Sequence, residues 1–306
     1  MRTLTFGLAI WAINIAVFAF IFMANHHPGT KCLWGLYAFW LLGASIPSTL
    51  EEIGVFLSEY LQLYNPAKLF LIASHFLYKL PLAGSKEQRS LGAIGLAKIA
   101  MMQGNNELAQ KWADEAMATD CGSWRAEFRG LSVVGWAEFR RGEYELAEGH
   151  LRKSWEVFGS NTEGMQFKAL ADQLSEYHAI NLDLLAQISL RAGRFDEAEQ
   201  LFKRSTKFRS EMNSLKATAT AYGENTSGAV AFARGDIQQA EALILKAVSD
   251  LPADVRLKQH RTVAVAILKN LELVKSEAAK DAYRALRMRL GANVHTGDGL
   301  TTELVK

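Results

Sequence analysis

A helical stretch that ends in Gly, with an Ala five residues further on, recurs four times between residues 90 and 255 of this chain. The pairs are Gly104/Ala109, Gly142/Ala147, Gly193/Ala198 and Gly235/Ala240, in the strings QGNNELA, RGEYELA, AGRFDEA and RGDIQQA. Glycine takes the φ > 0 backbone of a tight turn between antiparallel helices at no steric cost. Alanine, on the helix that follows, lets two helix axes approach closely. The phrase therefore predicts a succession of helical hairpins, and a chain built that way is all-α. Such arrays present extended surfaces, so binding is expected ahead of catalysis.

Charge divides the chain into unlike parts. The 306 residues carry 34 Lys and Arg against 32 Asp and Glu, yet Arg2 and Lys31 are the only charged side chains before residue 51. Residues 4–24 read LTFGLAIWAINIAVFAFIFMA and residues 32–50 read CLWGLYAFWLLGASIPSTL, both uncharged. About 20 such residues cross a bilayer as a helix. The connector NHHPGTK is short and turn-rich, so residues 1–50 are expected to form a transmembrane helical hairpin. A cleaved signal peptide is the competing reading. Against it stand a weak n-region, a long h-region, no clear A-x-A site and a second span that follows at once.

A hairpin leaves both chain ends on one side of the membrane. Lys68, Lys79, Lys86 and Arg89, which follow the second span, favour the cytoplasmic side. Residues 51–85 read as interfacial or linker helices. EEIGVFLSEYLQLY is broken at Asn65-Pro66, and AKLFLIASHFLYKLPL has a strong apolar face but is short for a span. It reads as an interfacial or repeat-capping helix; a third crossing would move the rest of the chain to the opposite side. Residues 254–289 look like one more helix pair closing the array, and residues 291–306 like a flexible tail.

Several function classes find no support. No basic tract marks a nucleic-acid surface. Cys32 and Cys121 are the only cysteines, with no CxxC spacing, so neither a disulfide framework nor a zinc site is expected. His26 and His27 could join Cys32 on a metal, against the simpler reading of a solvated loop. There is no Gly-rich phosphate loop, nucleophile elbow or HExxH, so neither catalysis nor a cofactor is expected. His178, beside Tyr177, reads as a surface or packing histidine. Glu51 and Glu52 read as favouring a helix amino terminus after Ser48-Thr49.

The repeated phrase resembles the tetratricopeptide repeat (TPR), a helix-turn-helix unit of about 34 residues. Two residues after the turn Gly, the pattern's large residue is Tyr144, Phe195 and Ile237, with Asn106 in the first repeat. The next large position holds Leu151, Phe202 and Ile244, with Ala113 in the first; the small position after it holds Ala116, Ser154, Ser205 and Ala247. The small residue of the first helix is Ala97, Gly135, Ala186 and Gly228, and only the fourth repeat has a closing proline, Pro252. The glycines stand 38, 51 and 42 residues apart, and the long interval is expected to lengthen a loop and the following helix around GSNTEGMQFKALADQLSEYH. The resemblance implies a TPR-like α-solenoid of about four to five helix pairs over residues 86–290.

The same resemblance implies that first helices line a concave protein-binding groove. Its expected residues are Lys98, Arg129, Trp136, Arg140, Asp183, Gln187, Arg191, Tyr222 and Asn225, with Met102, Ser132 and Ala229 beside them. Trp136 and Tyr222 fit equally well as packing between neighbouring repeats. The Lys/Asn clamp that some TPR proteins close on a carboxy-terminal carboxylate is missing, since its positions include Ile94 and Ile180 here. Two spans followed by a TPR domain look like the TPR-bearing membrane subunit of Pel-type exopolysaccharide synthase complexes. That resemblance implies a non-catalytic scaffold of a bacterial inner membrane, with a cytoplasmic TPR domain. Its implied partners are glycosyltransferase, cyclic-di-GMP receptor and transporter subunits, with a role in biofilm polymer export. The alternative is a periplasm-facing assembly factor similar to cytochrome c maturation or HemY-like TPR proteins.

Overall fold

The computed structural model describes Leu50, Ile53, Gly54 and residues 64–78, 85–119, 122–161, 168–212, 215–255 and 258–290. Apart from Leu50, the expected amino-terminal hairpin lies outside these residues, as does the tail at 291–306. Among the described residues there is no strand, and no helix is long and apolar enough to cross a membrane.

Among the described residues eleven α-helices of thirteen residues or more follow in order. α1 (Tyr64–Tyr78) precedes five pairs: α2 (Lys86–Met102) with α3 (Asn106–Ala118), α4 (Trp124–Arg141) with α5 (Tyr144–Asn161), and α6 (Lys168–Arg191) with α7 (Phe195–Glu211). The last two pairs are α8 (Ala219–Ala233) with α9 (Ile237–Asp250), and α10 (Lys258–Val274) with α11 (Glu277–Leu290). The chain divides into two compact units, Met1–Val133 and Val134–Lys306. The long interval between Gly142 and Gly193 is partly taken up by α6, which at 24 residues is the longest of these helices.

Each of the four glycines is left-handed, with φ of 74° at Gly104, 83° at Gly142, 73° at Gly193 and 87° at Gly235. The hydrogen bonds explain why. Gly142 N donates to Phe139 O at 3.1 Å, and Glu143 N to Glu138 O at 3.0 Å; the same two bonds form at Gly104, Gly193 and Gly235. This is the Schellman arrangement, which satisfies the last carbonyls of one helix. The residue after the glycine then begins the next helix. Asn105 Oδ1 accepts from Leu108 N at 3.0 Å and Asp236 Oδ1 from Gln239 N at 3.1 Å, each capping a second helix. One residue thus ends a helix and starts another.

The small residues sit where paired helices cross. A Cβ on Gly135 would lie 2.8 Å from Leu151 Cγ and 3.4 Å from Ala147 O; one on Gly228 would lie 2.7 Å from Ile244 Cγ1 and 3.2 Å from Ala240 O. Ala97 and Ala186 fill the matching positions in the other pairs and are fully buried. The second helices bury a stripe that begins at the alanine of the phrase, such as Ala147, Leu151, Ser154 and Phe158 on α5.

α1 carries the same stripe. Ala67, Leu71 and Ser74 are buried, and Ala67 and Leu71 pack with Leu96 and Ile99 of α2, against which Trp112 of α3 also rests. Gly54 meets α1 as Gly135 meets α5: a Cβ there would lie 2.7 Å from Leu71 Cγ and 3.1 Å from Ala67 O. His75 joins α1 to α3, its Nε2 lying 3.0 Å from Glu115 Oε1. Residues 64–78, expected as an interfacial or repeat-capping helix, therefore pack one face against α2 and α3.

The fifth pair makes its turn without glycine, placing Lys275 at φ 60°. Side chains other than Gly, Asn and Asp pay roughly 1–2 kcal/mol for that conformation. Nothing lies within 4 Å of a Cβ built on Gly142 or Gly235, so only the backbone cost applies there. Gly142→Ala and Gly235→Ala are each expected to destabilise the protein by about 1 kcal/mol, while Lys275→Gly stabilises it by up to about 1 kcal/mol. Denaturant titration followed by circular dichroism measures both signs.

Candidate functional site

The nine expected groove residues all lie on first helices, but most are not surface groups. In the first unit, Lys98 on α2 and Arg129 on α4 are half-buried. In the second, Arg140 on α4 and Arg191 on α6 are half-buried, and the Arg191 guanidinium stands 4.8 Å over the Tyr144 ring. Trp136, Asp183, Gln187, Tyr222 and Asn225 are buried. Five residues expected to line a groove are thus interior: Trp136, Asp183, Tyr222 and Asn225 bond to a neighbouring first helix, which for Trp136 and Tyr222 is the packing alternative.

Trp136 is 0 % exposed. Its Nε1 donates to Asn181 Oδ1 on α6 at 2.7 Å, and its indole stacks on Tyr177 with ring centroids 4.9 Å apart. Asn181 Nδ2 in turn donates to Ser154 Oγ on α5 at 3.0 Å, so one amide ties α6 to both helices of the preceding pair. On α8, Asn225 Oδ1 accepts from Asn270 Nδ2 of α10 at 2.9 Å. Gln187 keeps neither side-chain partner among the described residues although it is buried.

The strongest charge in this interior is an ion pair. Arg209 Nη2 of α7 lies 2.5 Å from Asp183 Oδ2 of α6, both side chains about nine-tenths buried. Tyr222 of α8 donates its hydroxyl to the other oxygen of Asp183, and the Arg209 guanidinium lies 4.1 Å over the Tyr222 ring. Ser205 Oγ, which accepts from Arg209 Nε at 3.4 Å, also donates to Ala179 O at 3.2 Å. Burial, reinforced by the Asp183 charge, pushes the Tyr222 hydroxyl well above the ordinary tyrosine range. Burial works most strongly against the Arg209 charge, but Asp183, Tyr222 and Glu176 together outweigh it, and Arg209 stays above the ordinary arginine value. The phenol and the guanidinium therefore keep their protons, and the cluster is a fixed three-helix clasp.

Sequence reasoning missed Arg209, Asn181 and Asn270. Arg209 had a visible signal, because it stands eleven residues after Ala198, where α5 places Phe158 and the residue capping α9 is Leu251. A charge at an apolar stripe position needs a buried partner, and Asp183 supplies it.

His178 is also buried, as its packing reading implied, with Nδ1 unpartnered. Its ring stacks on Phe158 at 4.1 Å and meets Phe208 edge-on at 4.8 Å. Burial, with the nearby Arg204 charge, lowers it from 6.5 to about 4.

On the turn edge of the second unit, Arg194 spans Glu148 at 2.9 Å and Glu197 at 2.7 Å, and Arg152 bridges the same two carboxylates at 2.6 Å each. Arg234 likewise reaches back to Asp196 and Glu199. An open cleft of ≈ 370 Å³ between α7 and α8 is lined by Phe202, Thr206, Gly223 and Val230, with Glu199 and Glu224 at its rim. Lys203 and Arg234 neutralise Glu199, and Lys246 neutralises Glu224. Among the described residues no three His, Cys, Asp or Glu side chains gather as a metal site; His26, His27 and Cys32 lie outside them. No family model matches the chain, and no curated protein matches it significantly.

Breaking a buried ion pair leaves one charge stranded, at a cost of about 3–5 kcal/mol. Asp183→Leu is therefore expected to destabilise by about that amount, and Asp183→Leu with Arg209→Met by clearly less than the sum of the single changes. A double-mutant cycle from denaturant melts reads the difference. For His178, the unfolded chain takes up a proton near pH 6.5 and the folded chain only near 4. Stability is thus full above 6.5 and falls as pH drops through that window. From pH 7 to pH 5 the loss is expected to be about 2 kcal/mol, and His178→Phe removes that component.

Proposed function

We propose that this chain is a non-catalytic, TPR-like scaffold anchored in a bacterial inner membrane, which holds partner proteins of a membrane complex together on the cytoplasmic side. The observation that carries the reading is the run of helix pairs closed by the same glycine turn, with interiors occupied by helix-to-helix contacts. Arrays of this kind bind through extended surfaces. The uncharged stretches at 4–24 and 32–50 provide the anchor, and the cations that follow them favour the cytoplasmic side. The complex proposed is of the Pel exopolysaccharide type, with glycosyltransferase, cyclic-di-GMP receptor and transporter subunits as partners.

Because Trp136 is buried, it is no handle on binding; the half-buried Arg140 and Arg191 are. Affinity capture of the full-length protein from detergent-solubilised membranes is expected to bring down the polysaccharide-synthase subunits. Arg140→Glu with Arg191→Glu is expected to weaken that capture several-fold while leaving helicity intact. Capture of haem-maturation proteins instead would favour the periplasm-facing alternative. A phosphatase reporter fused after residue 300 is expected to be inactive, and an active one would overturn the cytoplasmic placement.

A further inference from the structure

The outer face of α1 is unlike that of α5 and α7, the second helices of two later pairs. Opposite its buried stripe it exposes Leu69 by 70 %, Ile72 by 38 % and Phe76 by 65 %. These residues lie three and four apart, on one side of the helix. Aligning Ala67 with Ala147 and Ala198 places the same three positions at Gly149, Arg152 and Glu156 on α5, and at Gln200, Lys203 and Lys207 on α7. There the outer face carries no apolar side chain. On α1 alone among these three it is an apolar ridge.

Two facts identify what covers the ridge. The second uncharged stretch ends at Leu50, fourteen residues before Tyr64, so even a fully extended connection holds α1 within roughly 50 Å of that stretch. The helix also carries Lys68 and His75 but no Asp or Glu, so it has no carboxylate for anionic lipid headgroups to repel. We infer that Leu69, Ile72 and Phe76 seat α1 in the headgroup–acyl boundary of the membrane, so that the first helix pair of the array lies on the bilayer surface. α1 then serves two surfaces at once, the protein core through Ala67 and Leu71 and the lipid through its opposite side. This rests on the membrane-anchored reading above and adds the contact that fixes the array against the membrane.

The test uses the full-length chain with Cys32→Ser and Cys121→Ser, reconstituted into vesicles of phosphatidylethanolamine and phosphatidylglycerol with brominated acyl chains. A bimane label is placed singly by Leu69→Cys, Phe76→Cys, Glu156→Cys or Lys207→Cys. The expected result is several-fold stronger quenching, with a blue-shifted emission, at 69 and 76 than at the matching positions 156 and 207. Equal quenching at all four positions would overturn the inference while leaving the anchored scaffold standing. So would an unquenched label at 76 that cross-links between copies, since a second molecule would then cover the ridge. A chain that fails to float with the vesicles would overturn both readings. All four substitutions fall on outer faces, and unchanged circular dichroism shows that the labelled chains are folded.

Discussion

Two helices joined by a linker as short as Gly142-Glu143 have to turn back at once and cross within reach of each other's backbone. That demand is met by two kinds of small residue. The left-handed glycine closes the first helix with its own hydrogen bonds and passes the chain directly to the cap of the second. The small residue at the crossing then admits a side chain of the partner helix, as Gly135 admits Leu151 and Gly228 admits Ile244. A Cβ on either of these glycines would collide with the partner helix, and one at the turn would cost about 1–2 kcal/mol of backbone strain. The buried stripes, and the register of each pair, follow from that geometry.

Closing the pairs leaves a second problem, which is how one pair recognises the next. In the second unit much of the answer is polar. Trp136, Asn181 and Ser154 form one chain of bonds; Asp183, Arg209 and Tyr222 form another; Asn225 and Asn270 form a third. Buried polar groups of this sort are satisfied only when the correct helices are side by side. An apolar stripe tolerates a slipped neighbour better than an ion pair does. In the second unit the inner faces of the first helices are thus committed to the array itself.

Much of this was legible in local sequence. The four glycine turns, the extra pair after Pro252 and the lengthened helix after the long interval all depend on residues within a few positions of one another. The buried small positions, Ala116, Ser154, Ser205 and Ala247, also follow from helical period. The fate of Trp136, Tyr222 and Asn225 was not legible in that way. Family likeness allowed a groove for all three and packing between repeats for Trp136 and Tyr222, and the choice rests on bonding partners 39 to 45 residues away on a neighbouring pair. The fifth turn was hidden for the opposite reason: Lys275 adopts a glycine backbone angle because the pair around it requires one.

By itself the sequence determined the all-helical character, the positions of the four glycine turns and the abrupt change from uncharged to charged segments. Those features arise from backbone sterics, capping and hydropathy, all of which act over a few neighbouring residues. The tertiary structure alone decided which side chains are covered. It drew α1 into the helical stack, buried five of the expected groove residues, and left Leu69 and Phe76 exposed. Burial depends on what another helix, tens of residues distant in the chain, brings alongside, and no periodicity within one helix specifies that neighbour.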